Sequence, residues 1–405
     1  MIEVGPALAP ADVVAVAREG AAVALAPAAR EAMERSAHLI ARHAGAADPV
    51  YGVTTGFGML ATVPIPPSRR EQLQRSLVRS HAAGIGEPVE VETVRAMMLL
   101  LSLADLRMLL TVADIAAAMS VEALLGTDRV FAADLVALRP QPGQAASASN
   151  LRALLAGSPI VASHREGDPR VQDAYSLRCA PQVLGAARDT VEHAERVAAN
   201  ELAAAIDNPM ILPDGRVESC GNFHGAPLAF ACDFLAIAAA EVGAIAERRT
   251  DRMLDPSRSE GLPPFLAANP GVDSGLMIAQ YTQAALVAEN RRLAAPASVG
   301  SLPTSAMQED YVSMGWGAAR RLRTVVRNLA RILAIEAVTA ARAIELRAPL
   351  APGAGTGAAL TALRQAGVSG PGEDRHVAPE LAAAEALVLE GGLLRAVAAA
   401  IGPLA

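Results

Sequence analysis

The chain contains no lysine, so all 35 of its basic residues are arginine. This absence excludes each mechanism that needs a lysine amine, including a Schiff base, an anchored pyridoxal phosphate and the phosphate-binding lysine of a P-loop. The formal net charge of −7 also leaves no basic stripe for the phosphates of a nucleic acid. We therefore expect no nucleic-acid partner.

Cysteine and aromatic residues are also scarce. The three cysteines, Cys179, Cys220 and Cys232, have neither CxxC nor zinc-ligand spacing, which is typical of buried thiols in a reducing compartment. Aromatic residues make up 3% of the chain and hydrophobic residues 52%. Alanine, leucine and valine must then build the core, and this composition favours helices over sheets.

Features of export, membrane insertion and metal binding are missing as well. The first 20 residues include acids but no basic segment of the kind that opens a signal peptide. No uncharged run reaches the roughly 18 residues of a membrane helix. No group of His, Asp and Glu has metal-ligand spacing. We expect a cytoplasmic protein that binds neither a membrane nor a metal.

Long stretches with helical periodicity predict an all-α helical bundle. We divide the chain into a smaller N-terminal helical region, residues 1–110, and a bundle with C-terminal helices, residues 111–405. Alanine-rich helices bury little area per turn, which favours a homo-oligomer. Gly and Pro mark the joints, and the long helices are predicted at 182–205, 227–254, 276–293 and 317–347.

Among the stretches that could carry chemistry, the first begins at Tyr51 and reads YGVTTGFG. Its glycines allow a sharply turned loop in which a tyrosine can approach a ligand. A phenol with its ordinary pKa of about 10 costs about 4 kcal/mol to ionise at pH 7. Tyr51 is thus either an acid–base group whose surroundings lower its pKa or part of a plain surface turn.

Two further stretches place charged or polar groups on helices. His81 ends a predicted helix before Gly84 and Gly86, where it either caps the helix or belongs to a site. Tyr175 and Arg178 lie three residues apart and would be neighbours on a helix. Such an arginine can bind a carboxylate through two hydrogen bonds, although an ordinary surface pair has the same spacing.

Two polar insertions adjoin long apolar helices. One reads SCGNFHG and contains Phe223, and the other reads PTSAMQEDY and contains Gln308 and Glu309. Polar groups in such places are either paired with one another or functional.

Taken together and in order, these stretches resemble the histidine and phenylalanine ammonia-lyase family. YGVTTGFG is similar to that family's YGVNTGFG loop, with Thr54 in place of Asn. The resemblance extends over about 1–100 and 112–405, through LQRSLVRSHAAGIGEP, VQDAYSLRCAPQV, GNFHG, NPGVDSGLMIAQ, PTSAMQED and APGAGTG.

The resemblance implies a fold, a site and a substrate class. The fold would be the all-α long-helix bundle of the ammonia-lyase, or fumarase/aspartase-like, type, assembled as a homotetramer. Tyr51 and Tyr175 would be catalytic. A carboxylate or amino-acid-like small molecule would be bound by His81, Arg178, Phe223, Gln308 and Glu309. Arg178 would contact the carboxylate of that molecule.

One expected element is missing from the sequence. In the family that the chain resembles, an internal Ala-Ser-Gly cyclises to methylidene-imidazolone, an electrophile that activates the amino group. No Ala-Ser-Gly occurs in the 405 residues. The family pattern stops near Arg95–Leu100 and resumes near Ala113–Ser120, which indicates an internal deletion of about 100 residues. Met307 and Tyr311 also depart from the pattern.

These observations lead us to a hypothesis with alternatives. We predict a lyase-family enzyme without cofactor, not an ordinary ammonia-lyase, that performs elimination or the reverse conjugate addition or cyclisation on an activated substrate. Tyr51 and Tyr175 would exchange protons. The alternative is a non-catalytic homologue that binds a ligand or serves as a scaffold subunit. A third possibility is a complete partner chain that supplies the electrophile.

Overall fold

Helices dominate the computed structural model, which describes residues 1–5, 8–45, 49–91 and 98–405. This architecture confirms the all-α prediction. The α-helices are α1 (Pro10–Glu19), α2 (Pro27–Ala44), α3 (Arg70–His81), α4 (Met98–Ala123), α5 (Ala133–Ala137), α6 (Pro142–Leu155), α7 (Pro159–Ala162), α8 (Tyr175–Arg178), α9 (Ala180–Leu202), α10 (Ala226–Leu254), α11 (Met277–Leu293), α12 (Gly315–Glu345), α13 (Ala354–Gln365), α14 (Ala378–Leu389) and α15 (Gly392–Ile401).

Extended structure is confined to two small sheets in the described chain. Strand β1 (Ile2–Val4) pairs in parallel with β2 (Val23–Leu25). Strand β3 (Met210–Ile211) pairs antiparallel with β4 (Val217–Glu218).

The chain forms two compact units, each drawn from three stretches. Unit 1 comprises Met1–Leu101, Glu195–Cys232 and Pro296–Ala319. Unit 2 comprises Ser102–Ala194, Asp233–Ala295 and Arg320–Ala405. The predicted division between residues 110 and 111 stays a prediction.

The core of unit 2 follows from helical periodicity. On α12, six apolar residues at helical spacing are all buried: Leu322, Val325, Val326, Leu329, Ile332 and Leu333. The same helix also carries Glu336, which is fully buried and pairs with the fully buried Arg249 of α10 at 2.5 Å. Ser120 of α4 donates a further hydrogen bond to Glu336, at 2.8 Å. Such a pair is destabilising to break because either partner alone would be an uncompensated buried charge.

The region before the long helices is more helical than expected. The Pro and Gly residues of 135–143 predict a loop, and residues 150–156 a short helix, but α5 and α6 occupy most of this region. Pro142 stands at the first position of α6, where its fixed φ suits a helix. Asp189 of α9 then accepts a hydrogen bond from the Gly143 amide at 2.8 Å. Local sequence patterns do not predict this cap, because Asp189 lies 46 residues from Gly143.

Helix α10 is long and apolar enough to cross a membrane by length and composition alone. However, 56% of its most apolar stretch is buried inside the protein, as in the core helix of a soluble protein.

Gly, Thr and Pro between residues 48 and 67 predict a loop, and the stretch without Gly or Pro from about Val91 to Leu125 predicts a helix. Both predictions, and the family-like pattern that ends at Arg95–Leu100, include positions outside the described residues.

Candidate functional site

Tyr51 lies in a folded loop of unit 1 that hydrogen bonds stabilise from several sides. The Ile65 amide donates to the Thr54 carbonyl at 2.8 Å, and the Gly56 amide donates to the Val63 carbonyl at 3.1 Å. Gly52 has a φ of 68°, a left-handed conformation that glycine adopts without strain. The sequence therefore folds this stretch into a compact turn.

The Tyr51 side chain points back across its own loop. Its hydroxyl oxygen accepts a hydrogen bond from the Gly58 amide at 2.9 Å. Its ring meets the Phe57 ring edge to face, with centroids 5.8 Å apart. Gln74 of α3 donates to the Gly52 carbonyl at 3.4 Å, which joins the loop to that helix.

His81 is the last residue of α3, as the sequence predicted, and its ring is tied to that helix. Its Nδ1 lies 2.9 Å from the Leu77 carbonyl oxygen, the pairing expected if Nδ1 carries the proton. Nε2 would then be the acceptor nitrogen of the ring.

Glu309 closes a tight turn that begins at Thr304. The Thr304 amide donates to the Glu309 carbonyl at 2.8 Å. The Thr304 hydroxyl donates to the Glu309 carboxylate at 2.5 Å. The intervening residues Ser305, Ala306 and Met307 all have positive φ, between 50° and 72°. The turn therefore stores backbone strain, of the kind that is common at functional sites.

These three side chains line one cavity of about 560 Å³ in unit 1. Tyr51 and His81 share it with Glu309, and Ser80 and Ser305 add hydroxyl groups. Much of the remaining wall is apolar. Such a mixture suits a small organic molecule that is oriented by a few polar groups, and it offers a phenol, an imidazole and a carboxylate for proton transfer.

Phe223 and Gln308 belong to unit 1 but are not among the residues that line this cavity. Phe223 lies in the loop after β4, with 58% of its surface exposed, and Gln308 is exposed within the turn. Next to them is a pair that the sequence did not single out. The rings of His224 and Tyr311 are stacked, with centroids 5.9 Å apart.

Tyr175 and Arg178 lie in unit 2 at the two ends of α8. The Arg178 guanidinium is 4.6 Å from the centre of the Tyr175 ring, so the predicted helical neighbours do meet. Tyr175 is 71% exposed. The buried Arg249 stabilises this turn by donating a hydrogen bond to the Ser176 carbonyl at 3.3 Å. Sequence spacing could not reveal this role of a buried arginine.

Shifted pKa values occur in unit 2 at two buried acids, Asp114 and Glu122. Burial raises the pKa of both carboxyls, and hydrogen bonds oppose that effect. Asp114 also pairs with Arg188 at 2.7 Å, and this positive charge lowers its pKa in part.

The residues present do not fit either of two groups, an electrophilic cofactor and a metal ion, that an enzyme site could hold. Methylidene-imidazolone has no Ala-Ser-Gly to form from in this chain. No group of three or more His, Cys, Asp or Glu that could hold a metal ion occurs in the described parts of the chain.

Comparison with known proteins gives a consistent result. A model of the family described as "Aromatic amino acid lyase" matches residues 8–102 and 99–365. Histidine ammonia-lyase from Streptomyces avermitilis is 49% identical over 498 aligned positions, which cover 97% of each chain. The alignment has 498 positions and this chain has 405 residues, so at least 93 aligned positions have no residue in this chain.

Solved structures agree with the sequence comparison. Tyrosine aminomutase from Streptomyces globisporus is 29% identical with a TM-score of 0.88, and the match covers 98% of both chains. Histidine ammonia-lyase from Trypanosoma cruzi is 30% identical with a TM-score of 0.87, covering 99% of this chain and 95% of that one.

These findings correct our functional hypothesis. The hypothesis of a cofactor-free enzyme for conjugate addition or cyclisation, with a non-catalytic homologue as its alternative, is wrong. Relatives that are 40–49% identical over nearly the whole chain are histidine ammonia-lyases. They point to a classical ammonia-lyase, so the statement that this chain is not one is overturned too. This chain belongs to the aromatic amino acid lyase family.

Proposed function

We propose that this chain is an ammonia-lyase whose substrate is histidine. The carrying observation is the 49% identity, over 97% of both chains, to a histidine ammonia-lyase. The cavity that joins Tyr51, His81 and Glu309 supports the proposal because its polar groups suit an imidazole.

The reaction removes one proton and one amine from the amino acid. A base takes a hydrogen from the β-carbon as a proton, and the C–H electron pair becomes the new C=C bond. The substrate amino group is protonated, so the C–N electron pair leaves with nitrogen as neutral ammonia. Histidine would thus give a conjugated imidazole acrylate and ammonia.

Three residues that line the cavity have proposed parts in this reaction. Tyr51 would be the base, because its oxygen already lies in a hydrogen bond with a backbone amide. Glu309 would accept the imidazole N–H of the substrate, and His81 would contact the same ring. The roles of Tyr175 as a proton partner and Arg178 as the carboxylate anchor, together with ligand contacts by Phe223 and Gln308, stay predictions from resemblance.

We also propose that a segment of the relatives is missing inside this chain. The two stretches that match the family meet at residues 99–102, and at least 93 of the 498 aligned positions have no residue here. Without Ala-Ser-Gly, no step is assigned to methylidene-imidazolone. Because that electrophile would otherwise assist departure of the amine, we expect slower turnover than in full-length relatives.

The proposal is tested by incubating the purified chain with histidine, phenylalanine and tyrosine in separate reactions. We expect ammonia and the conjugated acid in equal amounts, with histidine the preferred substrate, and loss of both products in Tyr51→Phe. A folded chain that releases ammonia from none of the three would contradict it.

We further propose a soluble cytoplasmic enzyme that associates with copies of itself. Phe234 and Ile237 of α10, with Ile278 and Tyr281 of α11, are large apolar residues that stay 42–62% exposed in the single chain. The two residues of each pair lie three positions apart on one helix face, and exposed apolar residues that share a face favour a protein interface. Light scattering should report an oligomer, and the resemblance leads us to expect a tetramer. A stable monomer would contradict the proposed self-association.

A further inference from the structure

Two loops of unit 1 meet beside the proposed base. The short 3-10 helix Gly58–Thr62 follows the Tyr51 loop, and a second one, Ser305–Met307, precedes Glu309. The Met59 amide donates to the Ser305 hydroxyl oxygen at 3.3 Å. The loop that carries the base and the turn that carries the carboxylate are therefore joined through one serine.

This contact lies next to the hydrogen bond of the base itself. The Gly58 amide donates to the Tyr51 hydroxyl, and the following amide, that of Met59, donates to Ser305. Two successive peptide units thus hold Tyr51 at one end and Ser305 at the other. The two planar peptide units share the α-carbon of Gly58, so only the φ and ψ angles of Gly58 separate the amide that contacts Ser305 from the amide that contacts Tyr51.

The approach of the two loops is close enough to favour glycine at position 58. A β-carbon built on Gly58 would overlap the Ser305 hydroxyl oxygen. Gly58 also has a φ of 55°, which favours glycine. The backbone of one loop therefore packs directly against this side chain.

The turn that presents Ser305 is held in a strained conformation. Three successive residues without glycine adopt positive φ, at a cost of roughly 1–2 kcal/mol each. Hydrogen bonds between Thr304 and Glu309 close the turn. A strained turn that is fixed in this way places the Ser305 hydroxyl and the Glu309 carboxylate together.

We propose that Ser305 is a positioning residue that holds the Gly58–Met59 backbone, and through it Tyr51, in register with Glu309. This proposal rests on the proposed function. Ser305 would not exchange protons with the substrate. Its hydroxyl would reduce the motion of the base, so its loss should lower kcat while KM for histidine changes little.

The test compares Ser305→Ala, which removes the hydroxyl, with Ser305→Cys, whose sulfur is a weaker acceptor. Ser301→Ala is the matched control, since Ser301 accepts a hydrogen bond from the Val312 amide in the same segment at 2.8 Å. We expect kcat to fall about 10- to 100-fold in Ser305→Ala. Partial recovery is expected in Ser305→Cys and little change in Ser301→Ala.

Hydrogen exchange of the peptide that contains residues 57–62 provides a readout that does not need activity. We expect Ser305→Ala to speed exchange there, and Ser301→Ala to leave it unchanged. Equal exchange in both variants would overturn the proposal, as would an unchanged kcat in an active enzyme. If the wild-type chain releases no ammonia, the proposed function fails, and the exchange result alone decides whether Ser305 holds this backbone.

Discussion

At the scale of single residues, the account depends on the close contact between Gly58 and Ser305. We predict that Gly58→Ala lowers the rate of ammonia release and destabilises the protein by about 1–2 kcal/mol. The new methyl group requires a left-handed alanine and displaces the Ser305 hydroxyl. Enzyme assays and denaturant unfolding would measure the two effects.

Two variants test this interpretation of Gly58. In Gly58→Ala/Ser305→Gly the obstructing side chain is gone, so part of the lost stability should return, while activity stays low because the Ser305 hydroxyl is also gone. Gly84→Ala is the control, because its β-carbon would meet no atom within 4 Å. If Gly58→Ala behaves like Gly84→Ala, the loops do not pack as described.

The sequence predicted some residues of the cavity and missed others for a physical reason. Tyr51, His81 and Glu309 stand in stretches whose glycines and polar insertions already suggest chemistry, and the structure places them around one cavity. Ser305 acts through a contact with a residue 246 positions away. No local pattern could indicate this contact, because it depends on how two loops meet in space.

At the scale of elements, helices α6 and α9 cross at two glycines. A β-carbon on Gly185 would overlap the backbone of Gln144, and one on Gly143 would overlap the Gly185 carbonyl. We predict that Gly185→Ala destabilises the protein by about 1–3 kcal/mol, since backbone atoms cannot move aside easily.

A glycine in another helix provides the control for this crossing. Gly357 of α13 has only ordinary contact with Pro352, so Gly357→Ala should stabilise by up to about 1 kcal/mol through helix propensity. Chemical denaturation measures both variants. A stabilising Gly185→Ala would show that the two helices lie farther apart.

Helix α4 contains the place where the two family-matched stretches meet, residues 99–102. We predict that inserting there the unmatched segment of the Streptomyces avermitilis relative raises kcat for histidine by orders of magnitude. A glycine–serine insert of equal length is the control. If both inserts give the same rate, the missing segment does not limit the reaction.

Long helices were the most predictable elements of this fold. The spacing of Leu322, Val326 and Leu333 predicted the buried face of α12, and the structure buries all three. The start of α6 was not predictable, because the carboxylate of Asp189, 46 residues away, caps it. Periodicity reports which face is buried, whereas caps of this type depend on the tertiary fold.

At the scale of the whole molecule, Glu122 makes stability depend on pH. It is fully buried and accepts a hydrogen bond from the Gly353 amide at 2.8 Å. Burial raises its pKa above the ordinary value of 4.5. The folded protein then binds a proton more readily than the unfolded chain, so stability falls as pH rises from 4.5 through the folded pKa.

We predict that Glu122→Gln removes the part of the stability loss at rising pH that comes from this carboxyl group. The free energy of unfolding of the variant, relative to wild type, should therefore increase across that pH window. Unfolding at a series of pH values measures it, with the exposed Glu373→Gln as the control for loss of one carboxylate. A relative stability of Glu122→Gln that is constant with pH would contradict the prediction.

The measurement that tests the central claim most directly is ammonia release from histidine by the purified chain. The account predicts that ammonia and imidazole acrylate form in equal amounts, faster than any product from phenylalanine or tyrosine, and that Tyr51→Phe abolishes both. A folded wild-type chain that leaves histidine unchanged, or that prefers another amino acid, would contradict the account.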